Sequence, residues 1–552
     1  MCIITMNHCL TAIKVESGAG ESALPQEQTP DSAVTYMTDE SRLCGRADRI
    51  FFPRSESDLI AVLRTADQSR IPVTLSGART GITGGAVPMG GWLVSLDKMD
   101  RILGLRHDAE NNRFLLRCQP GMTLESLDQA MEKKSFPYES EWPDEDRQAL
   151  AVLRQSGAWM FPPDPTERSA TLGGMVACNA SGARTLFYGS TRNYVTRLRV
   201  ILADGSVMDL RRGECYADDQ GRFQLTLPNQ TIRKGMIPNY TMPRIKNAAG
   251  YFSQPGMDLL DLFIGSEGTL GIFSEIEILL IPVPAMILGV IGFFPSESEA
   301  VAFVRSARGE SASDDRPSLP NYPLALEYFD ANALDLLREQ KLKVGPSSPI
   351  PALSADAKTA VYIELGTTEN AMDEAAEALL ALLEACGSRS DSAWTATSPE
   401  ETERLKAFRH ALPEAVNQRI GERATAYPGL TKLGTDFAVP DEALEKMLAA
   451  YHQLLESERL EYVMFGHIGN NHVHVNILPR TMEEYQRGKT LYLELAQRAL
   501  GWGGTVSAEH GIGKLKKALL QLMYGDAGLD AMRAVKRVFD PHGRLNPGNI
   551  FD

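Results

Sequence analysis

Three glycine-rich loops constrain the fold of this chain more than any other feature. They cover residues Ser76–Gly85, Pro162–Gly182 and Ile264–Ile272. Glycine lets a backbone approach a pyrophosphate closely, and successive N–H groups in such a loop form a concave site for an anion. One such loop alone would most simply be a tight turn. Three of them, interleaved with Asn, Ser and Thr, predict a cofactor site built largely from backbone.

The first loop does not fit the nucleotide-binding patterns that a sequence can reveal. A doubly wound dinucleotide site has GxGxxG at the start of a helix and an acidic residue about 20 positions further on. Here the loop follows a strand predicted at Ile71–Leu75 and leads into another at Trp92–Leu96. The Walker pattern GxxxxGK[ST] is also missing from the sequence. We therefore expect the cofactor to be bound outside a Rossmann unit.

Length and charge narrow the class of protein. A chain of 552 residues exceeds the size of a single core, so two or more domains are expected. The net charge of −15 and the pI of about 5.3 argue against nucleic acid as a partner and against binding to an anionic membrane. An anionic substrate would then require positive charge gathered at one site.

The cysteines and the hydrophobic segments indicate where in the cell the protein is expected. The seven cysteines contain no CxxC pair, which excludes an iron–sulfur cluster or zinc knuckle made by this chain alone and favours reduced thiols in the cytoplasm. The N-terminus lacks the basic region and cleavage pattern of a signal peptide. The longest uncharged run, Ile278–Ser296, is interrupted by prolines and glycines, so we predict two buried strands joined by a proline turn. No transmembrane segment is expected.

Helices and strands alternate along most of the chain, after a stretch at Ser17–Ser41 whose Gly, Ser, Pro and acidic residues are typical of a mobile leader. Helical spacing and capping residues indicate the helices, and period-two runs indicate the strands, two of which are joined by a hairpin turn at 203–206. The predicted elements are helices at Ser55–Ala66, Asn370–Ala385, Pro399–Asn417 and Leu529–Phe539, strands at Phe114–Cys118, Val195–Leu202 and Val207–Leu210, and a linker at Ser311–Pro323.

Four of the nine histidines, His467, His472, His474 and His510, lie within the 44 residues that end at His510. A strand is predicted to begin at His472, so alternation places His472 and His474 on one face, with His467 within reach across the preceding turn. Glu509 and His510 supply a carboxylate and a fourth imidazole further along. Two or three imidazoles with one carboxylate suit a divalent transition metal with an open position. The alternative is that the strand histidines face solvent.

Taken together, the motifs resemble a known family. RTG and GG in the first loop, PPDPT and TLGG in the second and GSEGTLGI in the third are similar to the PCMH-type FAD-binding domain of the vanillyl-alcohol oxidase superfamily. More narrowly, the chain resembles the group of D-lactate dehydrogenase, the glycolate oxidase flavoprotein subunit and D-2-hydroxyglutarate dehydrogenase, from about Cys44 to the C-terminus. The resemblance implies FAD-dependent oxidation of a small 2-hydroxy acid to the 2-oxo acid.

The resemblance also implies an α+β fold. A two-lobed FAD-binding domain would be followed by an α/β cap domain with an antiparallel sheet, which holds the substrate, and by a short helical segment that returns to the flavin. Some superfamily members attach the flavin to a histidine in the first loop; because no histidine lies between Ile71 and Trp92, non-covalent FAD is expected. The implied divisions are residues 1–43 (mobile leader), 44–283 (FAD-binding domain), 284–498 (cap domain) and 499–552 (C-terminal return).

The resemblance places FAD against all three loops. The first loop would hold the pyrophosphate, the other two would line the ribityl chain and the isoalloxazine, and the tail Leu545–Gly548 would fold back to the flavin. The implied FAD-binding residues are Ser76, Gly77, Arg79, Thr80, Gly81, Thr83, Gly84, Gly85, Pro163, Asp164, Thr171, Gly173, Gly174, Asn179, Ser181, Gly182, Tyr188, Gly189, Glu267, Gly268, Gly271, Ile272 and Asn546.

Two further family motifs match the histidine region. HxGDGNxH begins at His467 and ends at His474, which are implied as metal ligands, and SxEHGxG contributes Glu509 as a ligand and His510 as the base. This chain has Asn-Asn-His where the family has Asp-Gly-Asn. His472 therefore stands where the family has an asparagine that contacts the substrate, which leaves the substrate open. Zinc, manganese or iron would each fit the ligand set.

The implied chemistry assigns a role to each group. His510 would remove the hydroxyl proton, flavin N5 would accept the hydride, and the metal would lower the pKa of the hydroxyl. The substrate carboxylate would bind Arg409, in the helical sequence FRHALPE, and Lys432, in TKLGTD. Each of these cations could instead be an ordinary solvated charge.

Other enzyme classes and several partners stay open. The alternatives are a flavin-dependent alkyl transferase of the alkylglycerone-phosphate synthase type, an oxidase of sugar lactones, and the flavoprotein subunit of a multi-protein electron-transfer complex.

The electron acceptor would be an electron-transfer flavoprotein, a quinone or a separate iron–sulfur subunit, and a homodimer is left open. The protein is expected in the cytoplasm, or at the inner face of the membrane through such a partner. Residues 138–159 are interpreted as a helical insertion and residues 215–240 as a loop-like one.

Overall fold

The computed structural model of the protein describes residues 24, 27–28, 34–310, 316–345, 348 and 350–552. Most of the predicted leader and the first part of the predicted linker lie outside these residues. Within them the chain forms an α+β structure with three larger sheets and a separate β-hairpin. Residues 34–43, assigned to the leader from sequence, pack on the body of the protein: Tyr36 donates a hydrogen bond to Asp97 (2.8 Å).

The first lobe is a small sheet whose inner strands are parallel. Its elements are β1 (Glu27–Gln28), β2 (Arg49–Phe51), α1 (Glu56–Gln68), β3 (Val73–Ser76) and β4 (Trp92–Ser95). The strand order is β1-β2-β4-β3, and helix α1 makes the crossover that parallel pairing requires. Ser55 caps α1 by accepting a hydrogen bond from Asp58 N (3.2 Å), which confirms the predicted helix start.

The second lobe is an antiparallel sheet of order β5-β6-β12-β8-β9, with β7 beside β12. The predicted turn at 203–206 joins β8 to β9. The strands are β5 (Ile102–Asp108), β6 (Arg113–Cys118), β7 (Trp159–Met160), β8 (Val195–Ile201), β9 (Val207–Arg211), the separate hairpin β10 (Arg222–Thr226) and β11 (Ile232–Met236), and β12 (Ile272–Pro282). The helices are α2 (Leu124–Lys133), α3 (Asp144–Gln155), α4 (Leu172–Cys178), α5 (Thr185–Tyr188) and α6 (Leu260–Phe263).

Residues 215–240 are not loop-like, so that prediction is wrong. Strands β10 and β11 pair along their whole length as an antiparallel hairpin. Phe223 of the hairpin stacks on Phe539, with ring centroids 5.8 Å apart. Strand β10 alternates polar and apolar residues over only five positions, whereas β11 has Arg233 and Lys234 side by side followed by Gly235, so the period-two signal of the pair is too weak to read from sequence. The insertion at 138–159 is helical as predicted, since α3 lies within it.

The cap domain is one antiparallel sheet of order β16-β13-β15-β14-β18-β19-β17 with helices packed against it. The predicted proline turn near residue 283 separates β12, in the second lobe, from the first cap strand. No helix among the described residues is long and apolar enough to cross a membrane. The cap elements are β13 (Met286–Phe294), α7 (Glu297–Ala307), β14 (Ala325–Phe329), α8 (Ala331–Val344), β15 (Thr359–Thr367), α9 (Met372–Ala385), β16 (Trp394–Ala396), α10 (Pro399–Ala426), β17 (Leu433–Gly434), α11 (Leu444–Ser457), β18 (Tyr462–Gly466), β19 (His474–Ile477) and α12 (Met482–Gly501).

The C-terminal segment returns to the first lobe. Helix α13 (Lys517–Phe539) is longer than predicted and is broken at Gly525, whose φ of +64° and ψ of 179° are not helical. Beyond it the chain runs beside β3, where Val73 N donates to Arg544 O (2.8 Å) and Asn546 N donates to Val73 O (2.8 Å). The largest core cluster includes residues of the second lobe, the cap and α13, so the three parts pack together.

Candidate functional site

The glycine-rich loops surround a cavity of about 380 Å³, here called the loop cavity. It lies where the two lobes meet the C-terminal segment. Most residues predicted to bind FAD line it: Ser76, Gly77, Arg79, Thr80, Gly81, Thr83, Gly85, Thr171, Gly173, Gly174, Ser181, Glu267, Gly268, Gly271, Ile272 and Asn546.

Seven predicted residues do not line the cavity, and two of them hydrogen-bond to nearby backbone instead. Asn179 has φ of +50° and ends α4, and its side chain accepts a hydrogen bond from Arg192 N (3.0 Å). Asp164 accepts one from Arg184 N (3.1 Å). The seven are Gly84, Pro163, Asp164, Asn179, Gly182, Tyr188 and Gly189. Lining residues that the sequence did not single out include Asp39, Cys178, Phe273 and Asn549.

Close approach of the loops explains two of the glycines. A Cβ added at Gly77 would lie 2.4 Å from Thr171 Oγ1 in the second loop. A Cβ at Gly173 would lie 2.6 Å from Pro120 Cβ and 2.8 Å from the Pro120 carbonyl oxygen. Neither site has space for a side chain, so the first loop can approach the second, and the second loop can approach Pro120, only because these positions are glycine. The resulting wall of backbone and small side chains suits the close approach of a pyrophosphate.

Two predicted cofactor residues use their side chains to hold the protein together. The buried Glu267 carboxylate accepts hydrogen bonds from Ile512 N and Gly513 N (2.7 Å each), and burial raises the pKa of this group. Asn546 donates to the Glu267 carbonyl (2.7 Å) and accepts from Leu75 N (2.7 Å). These bonds connect the third glycine loop, strand β3 and the segment that follows His510. Both residues line the cavity and also fix its shape.

Beside this cavity, three histidines and one carboxylate form a cluster, called the histidine cluster: His467, His472, His474 and Glu509. One ligand atom from each lies within 4.8 Å of all the others. Glu509 faces the rings, with its oxygens 3.3 Å from His467 Nε2, 3.6 Å from His474 Nε2 and 3.9 Å from His472 Nδ1. Three imidazoles and a carboxylate in this arrangement are a suitable donor set for a divalent transition metal.

Acceptors outside the cluster orient its rings. His467 Nδ1 lies 2.6 Å from Glu327 Oε1, and His474 Nδ1 lies 2.9 Å from the Thr435 carbonyl oxygen. Each acceptor holds a proton on Nδ1 and leaves Nε2 directed at Glu509. Burial by itself would lower the pKa of His467, but Glu327 raises it above its usual value, whereas burial lowers the pKa of His474. Glu327 was not identified from the sequence.

The structure corrects the predicted position of His472. Strand β19 begins at His474, two residues later than expected, so His472 does not share a strand face with it. His472 follows Asn471, whose φ of +52° is left-handed, and the turn directs the imidazole into the interior, where it is fully buried. The solvent-facing alternative is therefore excluded for this residue. Burial keeps the pKa of His472 well below its usual value, so the ring is neutral.

His510 lies beside a buried aspartate that sequence analysis missed. Asp436 Oδ2 is 3.3 Å from His510 Nδ1 and accepts hydrogen bonds from His510 N (3.1 Å) and Lys516 Nζ (2.7 Å). His510 Nε2 lies 3.3 Å from Glu509 Oε1. Burial lowers the pKa of His510, but Asp436 outweighs it and raises that pKa to about 9. The pair has the arrangement of an imidazole base oriented by a carboxylate.

The predicted substrate cations differ in their surroundings. Arg409 Nε donates to Glu327 Oε2 (2.8 Å), so this arginine shares its carboxylate partner with His467. Lys432 Nζ instead donates to Asn417 on α10 (3.0 Å). A third cation was not predicted: Lys246, nearly buried, places Nζ 2.5 Å from Glu509 Oε2. Arg409 and Lys246 therefore bring positive charge to this site, and each is paired with a carboxylate.

The histidine cluster and the loop cavity are contiguous. Glu509 belongs to the cluster and also lines the cavity, and His510 lines the cavity beside it. A molecule in the cavity would thus lie next to a base and next to a candidate metal site. Such a junction suits oxidation of an alcohol, in which a proton and a hydride leave in different directions.

Comparison with known proteins agrees with this architecture. The family model of the FAD binding domain matches residues 47–151 and 147–211, and that of the FAD linked oxidases, C-terminal domain, matches residues 291–550. Two solved structures of alkyldihydroxyacetonephosphate synthase have a TM-score of 0.60 at 14% identity, covering 95% of this chain and 82% or 83% of theirs. At that identity the likeness concerns the fold alone.

Relatives of similar length are enzymes. The glycolate oxidase subunit GlcD of Bacillus subtilis (strain 168) is 29% identical over 91% of this chain and 89% of its own length. The D-lactate dehydrogenase of Anaerostipes hadrus is 29% identical over 93% and 92%, and the D-2-hydroxyglutarate dehydrogenase of Stutzerimonas stutzeri (strain A1501) is 27% identical over 94% and 95%. Since both domains match in chain order and the glycine loops enclose one cavity, the chain belongs to the FAD-linked oxidases, with an N-terminal FAD-binding domain and the C-terminal domain of that family.

Proposed function

We propose that the protein oxidises a small 2-hydroxy acid, of the D-lactate, glycolate or D-2-hydroxyglutarate type, to the 2-oxo acid with non-covalently bound FAD. One observation carries this proposal: Glu509 and His510 line the loop cavity, and Glu509 also faces the histidines. The base and the candidate metal ligands thus meet the cofactor cavity at one point. The named activities of the relatives support the substrate class.

His510 takes the hydroxyl proton in this proposal; because its pKa is about 9, the neutral imidazole that can accept a proton is the minor form at neutral pH and increases as the pH rises. Asp436 lies beside Nδ1 and orients the ring, so that Nε2 faces the side of Glu509 and the cavity. A carboxylate in this position also stabilises the imidazolium that forms when the proton arrives. Bound FAD supplies the acceptor for the hydride, and a divalent ion held by His467, His474 and Glu509 supplies positive charge that lowers the pKa of the hydroxyl.

Arg409 is the proposed partner of the substrate carboxylate. Its Nε donates to Glu327, and among the described residues no hydrogen bond engages its terminal nitrogens, so these can bind a second carboxylate. Glu327 also bonds His467, so one buried carboxylate sets the position of both the arginine and a ring of the histidine cluster. Burial would raise the pKa of Glu327, but the charge of Arg409 and the hydrogen bond with His467 lower it to about 2, which keeps this carboxylate ionised. Lys432 stays a candidate that would have to leave Asn417.

An anaerobic titration tests the proposal. The purified flavoprotein is mixed with D-lactate, L-lactate, glycolate and D-2-hydroxyglutarate in turn, and bleaching of the oxidised flavin is followed, with and without a chelator. We expect one acid to bleach the flavin, with loss of the reaction on chelation and recovery when metal is added. Reoxidation by oxygen, compared with an artificial electron acceptor, then separates an oxidase from a dehydrogenase.

Other outcomes count against this function. A flavin that stays oxidised with every acid excludes these substrates and favours alkyl transfer or a role as an electron-transfer subunit. Bleaching that is unaffected by complete metal removal would leave the oxidation standing and remove the metal from the mechanism. Equal bleaching by both lactate enantiomers would contradict a carboxylate held at one fixed cation.

A further inference from the structure

His472 has an unusual environment for a buried histidine. Its side chain is fully buried, and among the residues that the structure describes no group hydrogen-bonds to its Nδ1. Nε2 lies 3.0 Å from Asp436 Oδ1 without a well-directed hydrogen bond. A buried polar atom without a partner is costly, and native proteins seldom keep one unless a water or an ion satisfies it. The unpartnered Nδ1 is directed at the carboxylate of Glu509, 3.9 Å away.

All three rings of the histidine cluster follow one pattern. Each has one nitrogen beside an oxygen outside the cluster, which belongs to Glu327, Thr435 or Asp436. The other nitrogen faces Glu509, at 3.3 to 3.9 Å. A tetrahedral ion with bonds of about 2.1 Å has ligand atoms about 3.4 Å apart. The inward nitrogen of His472 is thus placed as those of His467 and His474 are.

We propose that His472 is a fourth protein ligand of the metal, so that the ion is held by three imidazoles and one carboxylate. This assignment gives His472 a role different from that of the substrate-contacting asparagine that the family has at this position, and it rests on the proposed function only for the presence of a metal there. Nitrogen-rich, four-coordinate sites favour Zn²⁺ over Mn²⁺ or Mg²⁺. With four ligands from the protein, the ion would have to accept a substrate oxygen as an additional ligand to polarise it.

Lys246 supplies the competing explanation of the geometry. Its Nζ lies 2.5 Å from Glu509 Oε2 and could balance that carboxylate without any metal. A carboxylate oxygen has two lone pairs, so Glu509 can accept from Lys246 and still bind an ion. The lysine alone, however, leaves His472 Nδ1 without a partner. A bound metal ion would give a partner both to the Glu509 carboxylate and to His472 Nδ1.

The test compares His472→Asn with the matched control His542→Asn, which changes an exposed histidine far along the chain. Each holoprotein is stripped of metal, titrated with Zn²⁺ and analysed for bound zinc. We expect His472→Asn to weaken zinc binding by about 100-fold or more. Loss of a residue that only hydrogen-bonds to a metal ligand already weakens metal binding by about 10- to 100-fold, so loss of a ligand itself should reach at least the upper end of that range. The control should bind one zinc per chain as the wild type does. Equal zinc affinity in wild type and His472→Asn would overturn the proposal.

A measurement on the unaltered protein avoids dependence on folding of the variant. Wild-type holoprotein is loaded with Co²⁺, and its visible absorption is recorded at wavelengths beyond the flavin bands. Four-coordinate Co²⁺ gives strong ligand-field bands and six-coordinate Co²⁺ gives weak ones, since coordination geometry is diagnostic. Strong bands that weaken in His472→Asn support the fourth ligand. Weak bands in the wild type, or no binding of either metal, would overturn it.

Neither measurement uses turnover, so the two proposals fail separately. If zinc binds with four protein ligands but no hydroxy acid bleaches the flavin, the proposed function fails and the ligand assignment stands. If an acid bleaches the flavin while zinc affinity is the same without His472, the assignment fails and the oxidation stands.

Discussion

The loop cavity and the histidine cluster adjoin each other but are built in opposite ways. The cavity has walls of backbone and small residues, and each loop is one continuous segment. The cluster consists of side chains, and its three outer acceptors, Glu327, Thr435 and Asp436, come from two further stretches of chain. The loop cavity depends on glycines, which lack a Cβ atom, whereas the histidine cluster depends on charged and polar groups placed in the buried interior.

Because the two regions are built differently, substitutions in the loop cavity and in the histidine cluster should have different effects. In the cavity, an added methyl group must displace backbone, so the damage is steric and appears as lost stability. In the cluster, removal of a single polar group leaves its buried partner unsatisfied or unoriented, so the damage is electrostatic and appears first in chemistry. The following predictions set one kind of change against the other.

The largest expected effect is that of His510→Asn. Loss of a general base costs typically about 10²–10⁴-fold in rate, so flavin reduction by the best acid should slow by that factor. Because the side chain lies at the edge of the cavity, flavin content should be unchanged. Anaerobic stopped-flow reduction and the flavin-to-protein ratio measure the two quantities. If flavin reduction slows only in proportion to a loss of bound flavin, the change at His510 has damaged the loop cavity, and the two regions cannot be altered separately.

Glu267→Ala should affect both regions, because this carboxylate joins the third loop to the segment after His510. Two buried donors, Ile512 N and Gly513 N, lose their acceptor, at about 1–3 kcal/mol for each. Glu267→Gln keeps one acceptor oxygen and should fall between wild type and Glu267→Ala, both in unfolding free energy by denaturant titration and in rate of flavin reduction. Equal stability of all three proteins would contradict the joining role.

Gly173→Ala should destabilise the protein without a direct effect on chemistry. The new Cβ would lie 2.6 Å from Pro120 Cβ and 2.8 Å from its carbonyl oxygen, and overpacking of this kind costs about 1–3 kcal/mol. The matched control is Gly81→Ala in the first loop, where a Cβ meets no atom within 4 Å. Unfolding of the flavin-free proteins separates the two variants. The steric account fails if Gly81→Ala is the more damaging of the pair.

The smallest effect concerns a histidine–carboxylate pair outside the cluster. A hydrogen bond that His452 donates to Glu297 raises the pKa of His452, so this pair stabilises the fold below the unfolded pKa of about 6.5, and that stability is lost as pH rises through the higher folded pKa. The pKa of Glu297 is lowered: burial would raise it, but the bond from His452 outweighs burial, so its own contribution is lost only as pH falls into the acid range.

His452→Gln should therefore reduce the fall in stability between pH 6 and pH 8 by at most about 1 kcal/mol, the usual range for partly exposed pairs. Denaturant titrations at the two pH values, with and without Zn²⁺, provide the check. Added zinc should leave the pH-dependent difference unchanged, since His452 lies apart from the histidine cluster. If zinc changed the pH-dependent difference in stability between wild type and His452→Gln, His452 would also take part in metal binding, and its pairing with Glu297 would not mark it as a purely structural histidine.

The sequence predicted several features because they depend on local pattern. The start of α1 at Ser55 is set by a side chain and an amide three residues away, and the turn between β8 and β9 is set by four residues. The hairpin of β10 and β11 escaped prediction because its inward face packs on Phe539, more than 300 residues later, so the sequence gives no local reason for pairing. Tertiary contact determined that element.

The same distinction applies to the candidate site. The motifs indicated His467, His474, Glu509 and His510, and the structure gathers these four residues. They gave no sign of Asp436 or Glu327, since buried carboxylates look like any other acidic residue in a sequence. His472 was predicted on the strand face, but the left-handed turn at Asn471 directs it inward.

The sequence by itself determined the glycine loops, their order and the ligand types, because backbone freedom and side-chain chemistry are properties of single residues. Tertiary structure decided which groups meet. It placed Glu509 both at the cavity and among three imidazoles, gave His510 its aspartate and left His472 Nδ1 without a partner. Desolvation and electrostatic interaction act through space, so no local pattern in the chain could have specified them.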